Sequence, residues 1–232
     1  LFRAKPFIEN FDWKPRMGSR FIIIDRKTGK RVSTIKVPAF FSFHHVFAKE
    51  KDGLLEVDLC AYENADIISE YYKERLAQSD NPLPKGSMWR FTLDLKKRTC
   101  IERRELADVC LELPVIHHAF AHHHGSYRFV YGCGVNEANP TEFYNQIVKI
   151  DTESASAKHW YKPNHYPGEP VFVANPDART EDDGVLLSVV LDTQNKQSYL
   201  LVLNAVTFEE MAKASLPHTI LFGYHGTFLH RN

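Results

Sequence analysis

The 232-residue chain has no excess of either charge: 29 Lys and Arg stand against 29 Asp and Glu. A phosphate backbone would meet no net positive field, which removes the electrostatic basis for nucleic-acid binding. Long apolar runs are also missing. The longest clean one, 185–191, includes a serine and is far too short to span a bilayer. The four cysteines, Cys60, Cys100, Cys110 and Cys133, form no CxxC pair and no zinc-ligand spacing. They read as small buried apolar residues of a reducing compartment, with the cytoplasm as the default. No GxSxG, P-loop or Rossmann fingerprint occurs, so hydrolase and kinase readings have no support. What is present is ordinary for a folded domain, with 44% apolar and 25% charged residues. The first residue is Leu1, and no basic-then-apolar signal segment follows it. The chain is therefore expected to continue something longer.

A repeat runs through it. Four segments share one grammar, an alternating apolar run, an Asp or Asn, a short polar turn and a second run: FIIIDRKTGKRVSTIKV, FTLDLKKRTCIERREL, IVKIDTESASAKHWYK and LLVLNAVTFEEMAKASL. The turn-opening residues are Asp25, Asp94, Asp151 and Asn204, spaced 53 to 69 residues apart. Asp and Asn suit that place because their side chains cap the turn backbone, so each segment predicts a β-hairpin. Further strands are expected at 53–60, 127–135 and 184–191, two of them after Asp-Gly turn signals at Asp52-Gly53 and Asp183-Gly184. The run EEMAKAS at 209–215 could pass for a helix, but its place in the repeat favours a strand. One segment, 64–78, has apolar residues near a 3.6 period and predicts a helix inserted in the longest repeat. The expected fold is all-β, about four blades of a β-propeller with a short helical insertion.

A short apolar run holding one His or Glu follows each turn residue at nearly constant distance, 18 to 21 residues on: His44, Glu112, Glu169 and His225. Equivalent positions in successive blades lie on equivalent strands. If that strand is innermost, the four side chains ring the propeller axis. A carboxylate or imidazole among Phe, Leu, Val and Tyr is costly there without a partner. A metal-bound imidazole whose second nitrogen is held by a carboxylate from a neighbouring blade satisfies both groups.

These residues carry a family resemblance. FFSFHHVFAKEKDGLLEVDLC at 40–60, YPGEPVFVANPDARTEDDGVLLSVV at 166–190 and the closing YHGTF at 224–228 resemble blocks of the carotenoid cleavage oxygenases. The likeness is nearest to the animal-type branch of β-carotene oxygenases and retinoid isomerohydrolase. It implies a seven-bladed propeller with one non-haem Fe(2+) on four histidines, three of them oriented by glutamates. Carried over by position, His44 and His225 would be iron ligands, with Glu112 orienting His44 and Glu169 orienting His225. The other two histidines and the third glutamate have no counterpart, so residues 1–232 resemble the C-terminal portion of one propeller domain.

The resemblance further implies O2-dependent cleavage of a conjugated double bond in a carotenoid or apocarotenoid, giving two carbonyl products. The lipophilic polyene would need an apolar tunnel, with Phe43, Tyr62 and Tyr224 as candidate substrate-binding residues. A stilbene-cleaving oxygenase or a retinoid isomerohydrolase would use the same fold. A non-catalytic propeller scaffold is the reading from another class. Family members dock on membranes to collect such substrates, so peripheral membrane association is compatible with a cytoplasmic chain, although no strongly amphipathic basic helix is present. The tract HHAFAHHHG at 117–125 suggests metal binding by composition alone. Its place between two strands reads instead as a surface loop. His45, next to His44, faces the opposite way in an extended chain.

Overall fold

The computed structural model of the chain describes residues 5–78 and 82–229. Two 3-10 turns, Phe7–Asn10 and Pro15–Met17, lead into a first sheet of β1 (Ser19–Ile24) and β2 (Arg31–Val37). The second sheet is a four-stranded meander of β3 (His45–Lys51), β4 (Leu54–Ala61), β5 (Ser87–Asp94) and β6 (Thr99–Ala107). The third runs β7 (Glu112–Val115), β8 (Phe129–Gly134), β9 (Gln146–Asp151) and β10 (Ser156–Tyr161). In the fourth, β11 (His165–Pro167) and β12 (Val171–Ala174) both pair with β13 (Gly184–Asp192), which leads to β14 (Gln197–Asn204) and β15 (Glu210–Ser215). All pairings are antiparallel.

The four predicted hairpins are β1–β2, β5–β6, β9–β10 and β14–β15, and their turn-opening residues do the same work. Asp25 accepts the Thr28 backbone N–H at 2.7 Å, Asp94 that of Lys97 at 2.8 Å, Asp151 that of Glu153 at 3.0 Å and Asn204 that of Val206 at 2.8 Å. Residues 210–215 are the strand that the repeat favours.

Apolar cores lie between successive sheets. Phe21, Ile35 and Val37 of the first sheet pack on Val57, Leu59 and Phe91 of the second. The other face of the second sheet, with Cys60 and Met88, meets Val130, Val148 and Ile150 of the third. Tyr131 and Ile147, one residue along, face Leu186, Val190 and Leu201 of the fourth. Alternate side chains of one strand thus enter different cores, which is why the central strands read as nearly continuous apolar runs. This face-to-face series is propeller architecture, and the outermost strand of the fourth sheet, β15, is exposed along its whole length.

Three local expectations are corrected. The helix expected over 64–78 is two short ones, α1 (Asp66–Glu70) and α2 (Lys73–Leu76), separated where Tyr72 adopts an extended backbone. Tyr71 stacks on Phe43 while the Tyr72 hydroxyl donates to Glu9 Oε1 at 3.2 Å, so tertiary anchors outweigh helix propensity. The His-rich tract is a helix, α3 (His118–His124), stopped by Gly125 in the left-handed region at φ 65°. Asp52-Gly53 forms the tight turn its sequence predicts, with φ of 55° and 79°, but Asp183-Gly184 does not. The connection there is 175–183, and Gly184 begins β13.

The acidic motif residues of this region tie sheets together. Glu181 accepts the Arg128 and Phe129 backbone N–H groups at 2.9 Å, and Asp182 accepts Lys149 Nζ at 2.7 Å. Likewise Asp58 of the DLC segment accepts two bonds from Arg90, both 2.7 Å, and one from the Tyr127 hydroxyl of the third sheet.

Candidate metal centre and cavity

The first strand of each full sheet is irregular where a His or Glu is displayed. His44 immediately precedes β3, whose register shifts between His45 and Phe47. Glu112 opens β7, which is bulged before Val115, and Leu113 takes φ 51°. A leucine in the left-handed region costs on the order of 1–3 kcal/mol and persists only where its surroundings enforce it. Here the turned backbone N–H of Leu113 donates to Glu112 Oε2 at 3.1 Å. Glu169 occupies the break between β11 and β12, beside Pro170, which has no N–H for the ladder. His225 lies in 216–229, a segment without helix or strand. Bulges and breaks re-aim side chains that a regular strand would hold in its pleat. Gly132 on β8 permits the approach of β7: a Cβ there would lie 2.6 Å from the Glu112 carbonyl oxygen.

These elements bring all four residues together. His44 Nδ1 meets Glu112 Oε2 at 2.6 Å, and His225 Nδ1 meets Glu169 Oε1 at 2.9 Å. Glu169 Oε2 also accepts the Gly226 backbone N–H at 2.8 Å. The two imidazoles face each other edge-on, with centroids 5.2 Å apart and an interplanar angle of 80°. With each Nδ1 committed to a carboxylate, Nε2 is the nitrogen left for coordination, and the carboxylate fixes that tautomer. The hydrogen bond to Glu112, opposed in part by burial, raises the His44 pKa above its ordinary value. The donor set suits a divalent first-row metal. Two imidazoles are not a full coordination shell, and among the described residues no group of three or more His, Cys, Asp or Glu is placed to hold a metal ion.

Beside His44 opens a cavity of about 400 Å³, walled by Phe43, Tyr71, Phe143, Tyr144, Tyr166 and Phe222. Phe43 stacks on Tyr71 with centroids 5.6 Å apart and planes 12° apart. Tyr224 lines the same cavity at its rim and is exposed. Tyr62 stands behind the wall: it is 2% exposed, and its hydroxyl lies 3.2 Å from that of Tyr144. The sequence reading missed Tyr71, Phe143 and Tyr144 as cavity residues. Tyr71 belonged to a helical apolar stripe, and Phe143 and Tyr144 sit in a stretch with no periodicity. His45 is exposed, and so are His122, His123 and His124, while His117 Nδ1 bonds the Glu181 carbonyl at 3.0 Å. No helix among the described residues is long and apolar enough to cross a membrane.

Comparison with known proteins gives this geometry a family. The chain matches the family described as "RPE65: Retinal pigment epithelial membrane protein" over residues 1–230. It is 33% identical to "Carotenoid cleavage dioxygenase 8 homolog A, chloroplastic" of Oryza sativa subsp. japonica, over 94% of this chain and 41% of the relative. It is 30% identical to "Carotenoid-cleaving dioxygenase, mitochondrial" of Macaca fascicularis, over 98% of this chain and 47% of the relative. Among solved structures, an ACO/RPE65 chimera superposes with a TM-score of 0.82 at 32% identity, over 94% of this chain and 45% of that one. Cobalt-substituted Synechocystis ACO gives 0.82 at 30% identity, over the same two shares. The chain spans just under half the length of the curated relatives it matches. It belongs to the RPE65/carotenoid cleavage oxygenase family.

Proposed function

We propose that this chain is the C-terminal portion of a propeller dioxygenase that uses non-haem Fe(2+) and O2 to cleave a conjugated double bond of a carotenoid or apocarotenoid to carbonyl products. One observation carries the reading: two carboxylate-held imidazoles lie 5.2 Å apart at their centroids, and one of them, His44, edges a cavity walled by aromatic rings. His44 and His225 would hold the iron through Nε2, with the remaining ligands supplied from outside this chain. When bound, ferrous iron supplies the redox chemistry that activates O2. The residues present do the rest. Glu112 and Glu169 would each accept an Nδ1–H, so that both imidazoles are correctly turned with Nε2 toward the metal. Phe43 and Tyr224, with Tyr71 and Phe143, would offer aromatic rings to a polyene, while Tyr62 supports that wall from behind. We place the protein in a reducing compartment, the cytoplasm, because all four cysteines are unpaired thiols and Cys110 is pushed up to about 11 by burial.

The test is elemental analysis of the protein extended to its natural start, with His44→Ala and His225→Ala variants alongside. Near-stoichiometric iron lost in both variants, together with loss of polyene cleavage, is the expected result. Iron that survives His44→Ala would move the site elsewhere, the His-rich α3 being the first place to look. Intact function in both variants would favour a binding scaffold.

A further inference from the structure

The tract at 117–125 holds five histidines, and the helix it forms sorts them by role. His117 anchors α3 to the body of the protein: its Nδ1 bonds the Glu181 carbonyl at 3.0 Å, and its ring lies 4.9 Å from that of Phe172. The Ala121 N–H donates to the His117 carbonyl at 2.9 Å, and Ala121 itself is buried. His124 packs on Phe120 with centroids 4.1 Å apart, and His123 stands edge-on to His124 at 4.8 Å. His118 and His122 remain. Both reach solvent, and neither ring has a hydrogen-bond partner among the described residues.

Spacing sets these two apart. Four residues of helix place them one above the other on a single face, with Cβ atoms about 5–6 Å apart. Consecutive histidines such as His122, His123 and His124 fan out by about 100° each and cannot share a ligand in that way. No other two histidines of the tract are three or four residues apart. Local desolvation, and then the neighbouring His122 and His117, hold the His118 pKa below its ordinary value. His122 also lies in the last turn of α3, where the carbonyl ends of the helix favour a cation.

We propose that His118 and His122 form a two-imidazole chelate for a divalent first-row transition metal, Cu2+, Ni2+ or Zn2+, that shares no residue with the His44–His225 centre. Imidazole nitrogen suits all three ions, and Cu2+ binds most tightly by the usual order. Among the described residues no third His, Cys, Asp or Glu is placed to complete the shell, so water fills the other positions. The site is therefore open and exchanges its metal with solution, unlike the closed shell of a structural zinc site. Because His117 and Ala121 hold the helix in place, the spacing exists before the metal arrives. Binding in turn stabilises the helix against local opening.

The test is calorimetric titration of Ni2+ into the full-length protein, free of any added histidine tag and loaded beforehand with ferrous iron. One equivalent should bind. His118→Gln and His122→Gln should each weaken it by about 100-fold, the lower end of what joining two ligands on one scaffold adds. The His123→Gln/His124→Gln double variant should bind as the wild type does, and a thermal melt checks that each variant is folded. Ni2+ should also slow amide hydrogen exchange in α3. Binding lost in the double variant but kept in both single ones would overturn the chelate and leave a tract that binds by composition alone. Binding lost in His44→Ala would assign the metal to the propeller axis and overturn it as well. No Ni2+ bound by the wild type would sink it outright, leaving the polyene-cleavage reading untouched.

Discussion

Glu112 is buried, opens an inner strand and bonds both His44 and its own neighbour's backbone, whereas Glu169 serves His225 from a break in the ladder. The imidazoles differ more: the His44 side chain is 28% exposed and that of His225 62%. Both pairs present the same chemistry, an Nδ1 held by a carboxylate. Only the first is embedded between two packed sheets, where the rest of the fold depends on its being satisfied. The second is held by a segment with no regular structure of its own. Orientation of an imidazole and stability of the fold are therefore expected to separate between the two pairs.

The largest effect expected on that comparison comes from Glu112→Ala. It strands the His44 Nδ1 and the Leu113 N–H in a half-buried place, and should cost about 2–3 kcal/mol of unfolding free energy, read from denaturant unfolding. Next is Gly132→Ala, whose new Cβ collides with the Glu112 carbonyl. We expect a loss of about 1–2 kcal/mol from overpacking, with weaker iron binding as β7 is pushed outward. Glu169→Ala should cost less, about 1 kcal/mol, because the His225 imidazole it leaves behind is 62% exposed and can be hydrated. It should still lower iron affinity roughly 10- to 100-fold in a competition titration, as should Glu112→Ala. A Glu169→Ala protein destabilised as much as Glu112→Ala would erase the distinction between the two pairs.

The smallest effect is a titration. In the metal-free protein, His44 should protonate at higher pH than an unperturbed histidine, because Glu112 accepts its hydrogen bond and attracts its charge. With the folded pKa raised, the stabilisation from this charged pair is complete below about pH 6.5 and is lost as pH rises through the folded value. NMR titration of the imidazole should show Glu112→Gln moving His44 back down. An unmoved His44 would mean that Glu112 is not its dominant partner.

Much of this was legible along the chain because a repeat writes the same local physics several times. Asp25, Asp94, Asp151 and Asn204 were marked as turn residues by type and spacing, and each caps its turn as expected. The recurrence of His44, Glu112, Glu169 and His225 after them pointed to four converging side chains on equivalent strands; they do converge, but Glu169 does so from a break between strands and His225 from a segment without one. The motif carboxylates Asp58, Glu181 and Asp182 were visible too, but not their use. Their partners Arg90, Tyr127 and Lys149 lie 32 to 69 residues away, and no periodicity connects them. The break of the 64–78 helix at Tyr72 was hidden for the same reason: Phe43 and Tyr144, which hold the adjacent Tyr71, come from other elements.

The sequence by itself determined the hairpins and the residue types that converge, because turn chemistry and alternation are local and the repeat sets the rest. Tertiary structure decided which carboxylate meets which imidazole, that Leu113 is turned into the left-handed region, and that the hydroxyls of Tyr62, Tyr71 and Tyr144 meet. Those outcomes depend on distances between sheets, set by how side chains fill the space between them. That packing is a property of the assembled layers, which no single strand encodes.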